Sequence, residues 1–248
     1  MIGRIVLAAL IAGIAAGVIL AGIQHVRLTP LILAAEVYEK AADAAGDAAA
    51  AKTTADASAK CMENMPGHTM CNGDAKEWEP ADGIERTLYT TAASMLAGGG
   101  FAAMLAGISL LIGIPITPRN GLIWGLCGFL AVTIAPGAGL PPELPGMPAG
   151  DLLARQVWWV GTIAATGIGL YLIAIRRELG WVALSIVLIA LPHIIGAPQP
   201  PTEETTVPAG LAAAFASNTI AAAAVFWSLI GVFLGLALQK FSKDIHAT

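Results

Sequence analysis

The sequence predicts an all-α integral membrane protein: a compact bundle of about six transmembrane helices with both termini cytoplasmic. Three observations predict it. Of the 248 residues, 56% are hydrophobic and only 12% are charged, against roughly 45–50% and about 25% in an average soluble domain. Six apolar runs approach the length needed to cross about 30 Å of hydrocarbon, which takes roughly 20 helical residues. The charges are also sorted by side, as set out below.

The runs are Ile5 to Ile23, Leu88 to Ile112, Leu122 to Ala135, Val157 to Ile175, Trp181 to Ile195 and Leu211 to Leu238. The third and fifth are short, so flanking Gly, Pro or interfacial residues must complete them. The first follows Arg4, but it is longer than a signal-peptide core and no A-x-A-like site closes it. It is expected to be a retained anchor. Six crossings put both termini on one side with Arg4, Arg119, Arg176, Arg177, Lys240 and Lys243 against only Glu178 and Asp244. The other side then holds 7 of the 13 Lys and Arg but 15 of the 17 Asp and Glu. Short loops rich in Arg and Lys stay in the cytoplasm, so the acidic face looks outward. It suits cation capture, and it is also what an idle solvated loop would carry.

Three regions follow: 1–23 as the first transmembrane helix, 24–87 as an outer (periplasmic) helical and loop layer, and 88–248 as five further helices with proline-rich outer loops at 136–156 and 196–210. The outer layer opens with the alanine-rich stretch LTPLILAAEVYEKAADAAGDAAAAK, whose Glu36, Lys40, Asp43 and Asp47 recur along one side of a surface helix. With little bulky apolar side chain it cannot hold a core of its own and must lie against the membrane domain or stay mobile. The two proline loops share a pattern. Pro141-Pro142-Glu143 precedes Pro148-Ala149-Gly150, and Pro200-Pro201 with Glu203 and Glu204 precedes Pro208-Ala209-Gly210. Each block follows an outward-running helix and precedes an inward-running one, the pattern expected of a repeated helical hairpin, although proline and glycine are ordinary loop residues.

Small residues at spacings of four, Gly13 and Gly17, Gly121 and Gly125, Gly231 and Gly235, predict close helix packing. Gly98-Gly99-Gly100 falls inside the second span, either as packing surface or as a break lining a pathway. No charged residue lies well inside a span, which argues against a carboxylate relay at the midplane. Nucleotide-binding, zinc-protease and serine-hydrolase motifs are absent, so the expectation is not an enzyme. Nothing in the charge distribution points to nucleic acid; lipid is the main partner, and an oligomer or larger membrane complex is compatible with the small-residue faces.

Polar groups gather at outer helix ends. His193, Glu143, Glu203, Glu204, Asn218 and His25 are the candidate metal ligands, a nitrogen and oxygen set of borderline hardness that suits a divalent first-row ion. Asp151, Arg155, Gln156, Trp158 and Trp159 form the vestibule and its supports. The plainer reading has His193 bonding a loop carbonyl, Arg155 pairing with Asp151, and the two tryptophans anchoring at the interface. CMENMPGHTMC is a second constellation: Cys61 and Cys71 are a disulfide candidate in an oxidising compartment, and Met62, Met65, His68 and Met70 with them are the alternative, a soft-ion site for Cu(I). Cys127 reads as a small apolar residue.

TPLILAAEVYE, WEPADGIERTLYT, GLPPELPGMPAGDLLARQVWW and LPHIIGAPQP, with the arrangement of spans, resemble the CbtA family of predicted bacterial cobalt transporter subunits. The likeness covers nearly the whole chain, and the Pro-Glu to Arg-Gln-Trp-Trp block is its most specific part. The resemblance implies a multi-pass bacterial inner-membrane protein taking up cobalt for cobalamin supply. It also implies a small single-span, histidine-rich partner, CbtB. On the transport reading the two proline loops form an acidic outer vestibule, where a divalent metal such as cobalt is expected to bind beside His193. The rival reading is a structural or accessory subunit that binds a larger complex and transports nothing.

Overall fold

The computed structural model describes residues 2–57, 80–176, 178–202 and 204–246. These form α1 (Ile2–Ile23), α2 (Thr29–Ala57), α3 (Ile84–Ile112), α4 (Gly121–Phe129), α5 (Ala135–Gly137), α6 (Leu152–Ile175), α7 (Leu179–Ile195) and α8 (Ala209–His246), with no strand among the described residues. The apolar helices Ile2–Gly46, Ile84–Ile112, Leu152–Ile175 and Ala209–Phe241 are long enough to cross a membrane, and the shorter Gly121–Gly137 and Leu179–Ile195 complete an all-α bundle of about six.

The helix that begins at Ile2 does not end at residue 23. One wide π turn, Gln24–Leu28, carries α1 directly into α2. A second π turn, Leu130–Ile134, joins α4 to α5. Each ends two residues before a proline, Pro30 and Pro136. A proline inside a helix offers no N–H and presses on the carbonyl four residues back. Widening the preceding turn relieves that clash without ending the helix. This is how Leu122 to Ala135, short as an ideal helix, continues to Gly137.

Backbone approach at glycine organises the bundle. A Cβ on Gly13 would collide with the Gly98 carbonyl, and one on Gly98 with the carbonyl of Gly13. Gly17 faces Ser94 in the same way, so α1 and α3 touch main chain to main chain. Gly98 and Gly99 are therefore packing surface in an unbroken helix, while Gly100 is exposed and meets nothing within 4 Å. On α4, Gly121 meets Gly231 of α8, Gly125 meets the Trp227 carbonyl, and Gly128 leaves room for the Trp227 ring. That ring is buried against Phe101, with centroids 4.8 Å apart. Apolar side chains gain little by leaving lipid for each other, so such close seams supply much of the cohesion. α6 pairs chiefly with α7 and meets the remaining helices mainly through the π turn at 130–134 and α5.

Arg4 and Gln239 line one cavity with Thr117 and Pro118, so both ends of the chain and the α3–α4 loop share one end of the bundle. The proline loops and α2 gather at the other. There Leu144, Val207, Phe215, Ala35 and Leu28 form a second small core. The alanine-rich helix thus lies against the membrane domain: Ala35 is fully buried, and its small side chain lets the loops approach. Glu36 reinforces the contact, accepting from Arg86 Nη1 of α3 at 2.6 Å, while Lys40 stands 3.7 Å from the same carboxylate.

Candidate functional site

The two proline loops meet over the end of the bundle opposite the Arg4–Gln239 cavity. Thr205 Oγ1 donates to the Gly146 carbonyl at 3.2 Å. A Cβ on Gly150 would lie 3.2 Å from the Gln199 carbonyl, and one on Gly139 would lie 2.9 Å from Ala197 Cβ. Blocks similar in sequence are therefore neighbours in space. Their prolines supply few amide donors, so side chains and carbonyls make most of these contacts. Leu144 and Val207 point inward beneath α2, and the loops make a packed cap with its polar groups at the edge.

α6 organises that edge. Asp151 is its N-cap and accepts from Ala154 N at 2.8 Å, the expected use of an acid at a helix start. Arg155, one turn on, does not pair with Asp151. It donates through Nη2 to Glu143 Oε2 at 2.7 Å, with both side chains about a quarter exposed at 24%. The cap occupies the nearer acid, which leaves Arg155 to the one across the proline loop. Another turn along, Trp158 Nε1 donates to the Pro192 carbonyl at 3.1 Å. Its ring stands edge-on to His193 with centroids 5.9 Å apart. Trp158 therefore ties α6 to α7. Trp159 is 38% exposed and turned outward, as an interfacial anchor requires. Gln156 is exposed.

The remaining candidates are dispersed. The His25 ring, through Nδ1, shares a 3.4 Å hydrogen bond with Thr87 Oγ1 of α3. Asn218 Nδ2 donates to the Ala214 carbonyl on its own helix at 2.8 Å. Glu204 is exposed, and its backbone N donates to Thr202 Oγ1. Glu203, Cys61, Met62, Met65, His68, Met70 and Cys71 lie outside the described residues. Among the described residues no three of His, Cys, Asp and Glu come together in a way that could hold a metal ion. What the structure does bring together is Glu143 with Arg155 and Trp158 with His193, one helical turn apart on α6.

Two polar features escaped the sequence reading. Gln24 Oε1 accepts from Ser94 Oγ at 2.9 Å, joining α1 to α3 where the first π turn begins. At the opposite end, a cavity of about 860 Å³ is lined by Arg4, Ser109, Thr117 and Gln239 among apolar neighbours. Pro30 beside Thr29 was the available signal for the first; the second depends on helix ends that converge only in the folded bundle.

Comparison with curated proteins and with solved structures finds no match. The profile of the probable cobalt transporter subunit (CbtA) matches residues 2–239, and the chain belongs to that family.

Proposed function

We propose that the chain is the membrane-embedded subunit of a cobalt uptake system, sited in the bacterial inner membrane with both termini in the cytoplasm and serving cobalamin supply. The family match over residues 2–239 carries this reading. The capped end faces outward, because the opposite end carries the basic loops at Arg119 and Arg176. The cap is a gated rim. Its surface acids raise the local concentration of divalent cations, Glu143 is held by Arg155 until a cation competes for it, and His193 of α7 stands beside Trp158, one turn further along α6, where it can meet a metal that has shed part of its water. Binding energy rather than catalysis performs the work. A small histidine-rich single-span subunit, CbtB-like, is the proposed partner that delivers or receives the ion.

The test is cobalt entry into vesicles holding the purified chain. Substituting His193→Ala and Glu143→Gln together should reduce entry without reducing protein in the membrane; unchanged entry rejects this rim. One observation favours a second reading, the accessory subunit: among the described residues no preformed cluster of three metal-binding side chains exists. Under that reading vesicles admit cobalt only when a partner subunit is added, or never.

A further inference from the structure

A cavity of about 580 Å³ separates α6 from α3 and α4. α6 meets the bundle mainly through the π turn at 130–134 and α5, so the α6–α7 pair is fastened toward the cap and stands away from the bundle toward the Arg4–Gln239 end. One face of each neighbour lines the gap. Met104, Ile108 and Ile112 supply it from α3, and Ile163, Gly167 and Ala174 from α6, positions that fall on one side of a helix. Gly167 differs from the glycines of the helix seams, because a Cβ added to it meets nothing within 4 Å. The space beside it is open.

Depth and charge limit what can fill that space. From Ile163 to Ala174 the gap runs along eleven residues of α6, or about 16 Å at 1.5 Å per residue. That is close to half of the roughly 30 Å hydrocarbon core, one leaflet. A spanning helix needs both leaflets, and the contact of α6 with the π turn closes the half nearer the cap. An acyl chain needs only one. None of the lining residues is charged, so an ion would lose its water there without compensation. The mouth lies at Asn120 and Ala174, and the chain puts an arginine close to each: Arg119 adjoins Asn120, and Arg176 lies two residues past Ala174. Both are exposed, and among the described residues neither has a carboxylate partner. The Arg176 guanidinium lies 5.6 Å from the centre of the Trp181 ring. Stacking holds it at the headgroup depth that tryptophan favours and leaves the edge donors of the fork free.

We infer that the cleft between α6 and the α3–α4 pair is a site for an anionic phospholipid, with one acyl chain against Gly167 and the phosphate between Arg119 and Arg176. Basic pockets between membrane helices recognise such headgroups by charge, and an arginine fork matches phosphate oxygens. The lipid acts as a wedge that sets the angle of the α6–α7 pair, and with it the position of Arg155 and Trp158 at the cap. The inference goes beyond the transport reading and does not depend on which way the bundle faces.

The test is native mass spectrometry of the full chain in detergent, with phosphatidylglycerol and phosphatidylcholine of matched acyl chains as probes. The chain should retain phosphatidylglycerol in preference to phosphatidylcholine. One basic group beside an anionic lipid is worth about 1 kcal/mol, or about fivefold, so Arg119→Gln with Arg176→Gln should weaken phosphatidylglycerol binding by up to about 25-fold and leave phosphatidylcholine unchanged. Gly167→Leu fills the cleft and should weaken both lipids, with the thermal midpoint retained because the new side chain enters open space. Phosphatidylglycerol should also slow alkylation of Cys127, which lines the cleft, read on its own peptide. Equal retention of the two lipids, or retention of phosphatidylglycerol that survives the double arginine substitution, overturns the site. So does binding that the arginine variant loses but Gly167→Leu keeps, which puts the lipid elsewhere on the basic end. A chain that holds no lipid and dimerises through this face, so that Gly167→Leu yields monomers, overturns it too. If Gly167→Leu does not fold, Cys127 decides: alkylation that phosphatidylglycerol leaves unchanged rejects the cleft.

Discussion

Gly17→Ala tests whether main-chain contact, not side-chain fit, holds α1 to α3. A Cβ at Gly17 would lie 2.7 Å from Met95 Cα, whereas carbon atoms are comfortable at about 3.5–4.0 Å. The helices must part by about 1 Å. A gap of that size forfeits roughly a quarter to a half of each dispersion contact. The seam on α1 runs through Ala12, Gly13, Ala16 and Gly17, all buried. With about ten contacts per small residue at about 0.15 kcal/mol each, the seam is worth roughly 6 kcal/mol and loses about 1.5–3 kcal/mol. That agrees with the roughly 1–3 kcal/mol typical of overpacking. At roughly 2–4 °C per kcal/mol for a chain of this size, the midpoint should fall by about 3–12 °C. Unfolding followed by circular dichroism in detergent reads this out. Gly22→Ala is the internal control, because nothing stands within 4 Å of its added Cβ; it should leave the midpoint unchanged or slightly raised. If the two variants behave alike, the seam is not what the geometry says it is.

Asp151→Ala should cost about 1 kcal/mol through loss of the α6 cap, and Asp151→Asn much less, both read by thermal unfolding. A double-mutant cycle on Arg155→Met and Glu143→Gln should give coupling of up to about 1 kcal/mol that shrinks with salt, since both groups are partly exposed. Coupling between Arg155 and Asp151 should be near zero by the same assay. Trp158→Phe retains an aromatic ring beside His193 but abandons the Pro192 carbonyl, and should lower stability by about 1 kcal/mol. In vesicles it should also slow cobalt entry if the α6–α7 lock holds the rim.

The membrane class and the number of apolar helices could be read from composition and run length, because lipid imposes one length on every crossing. The glycine spacings were equally legible as faces. Their partners were not: a spacing of four states which side of α1 is small, and only the fold brings that side to Gly98 of α3. Arg155 shows a different limit. Asp151 lies four residues away, the usual distance for a helical ion pair, yet its carboxylate turns to the Ala154 amide, and the partner proves to be Glu143 across a loop whose path local rules do not fix. The π turns stand between these cases. Pro30 and Pro136 announce a disturbance in each helix, but residue type alone does not decide between widening and breaking. His193, Glu143, Asn218 and His25 were selected by residue type and position along the chain, and their scatter among separate partners reflects how little that says about distance.

From Ile2 to Gly46 the first helix is a single rod of 45 residues, rooted in the bilayer and lying over the outer loops. Such a rod is a lever with its fulcrum at the Gly13 crossing. Glu39 rests against Gly146 of the cap, some 26 residues above that crossing, or about 39 Å along the axis. A tilt of about 5° at the crossing would sweep Glu39 sideways by about 3 Å, roughly the length of a hydrogen bond. Small shifts in membrane thickness or helix seating would therefore be magnified at the cap, and whatever presses on the start of the rod has a mechanical grip on its far end.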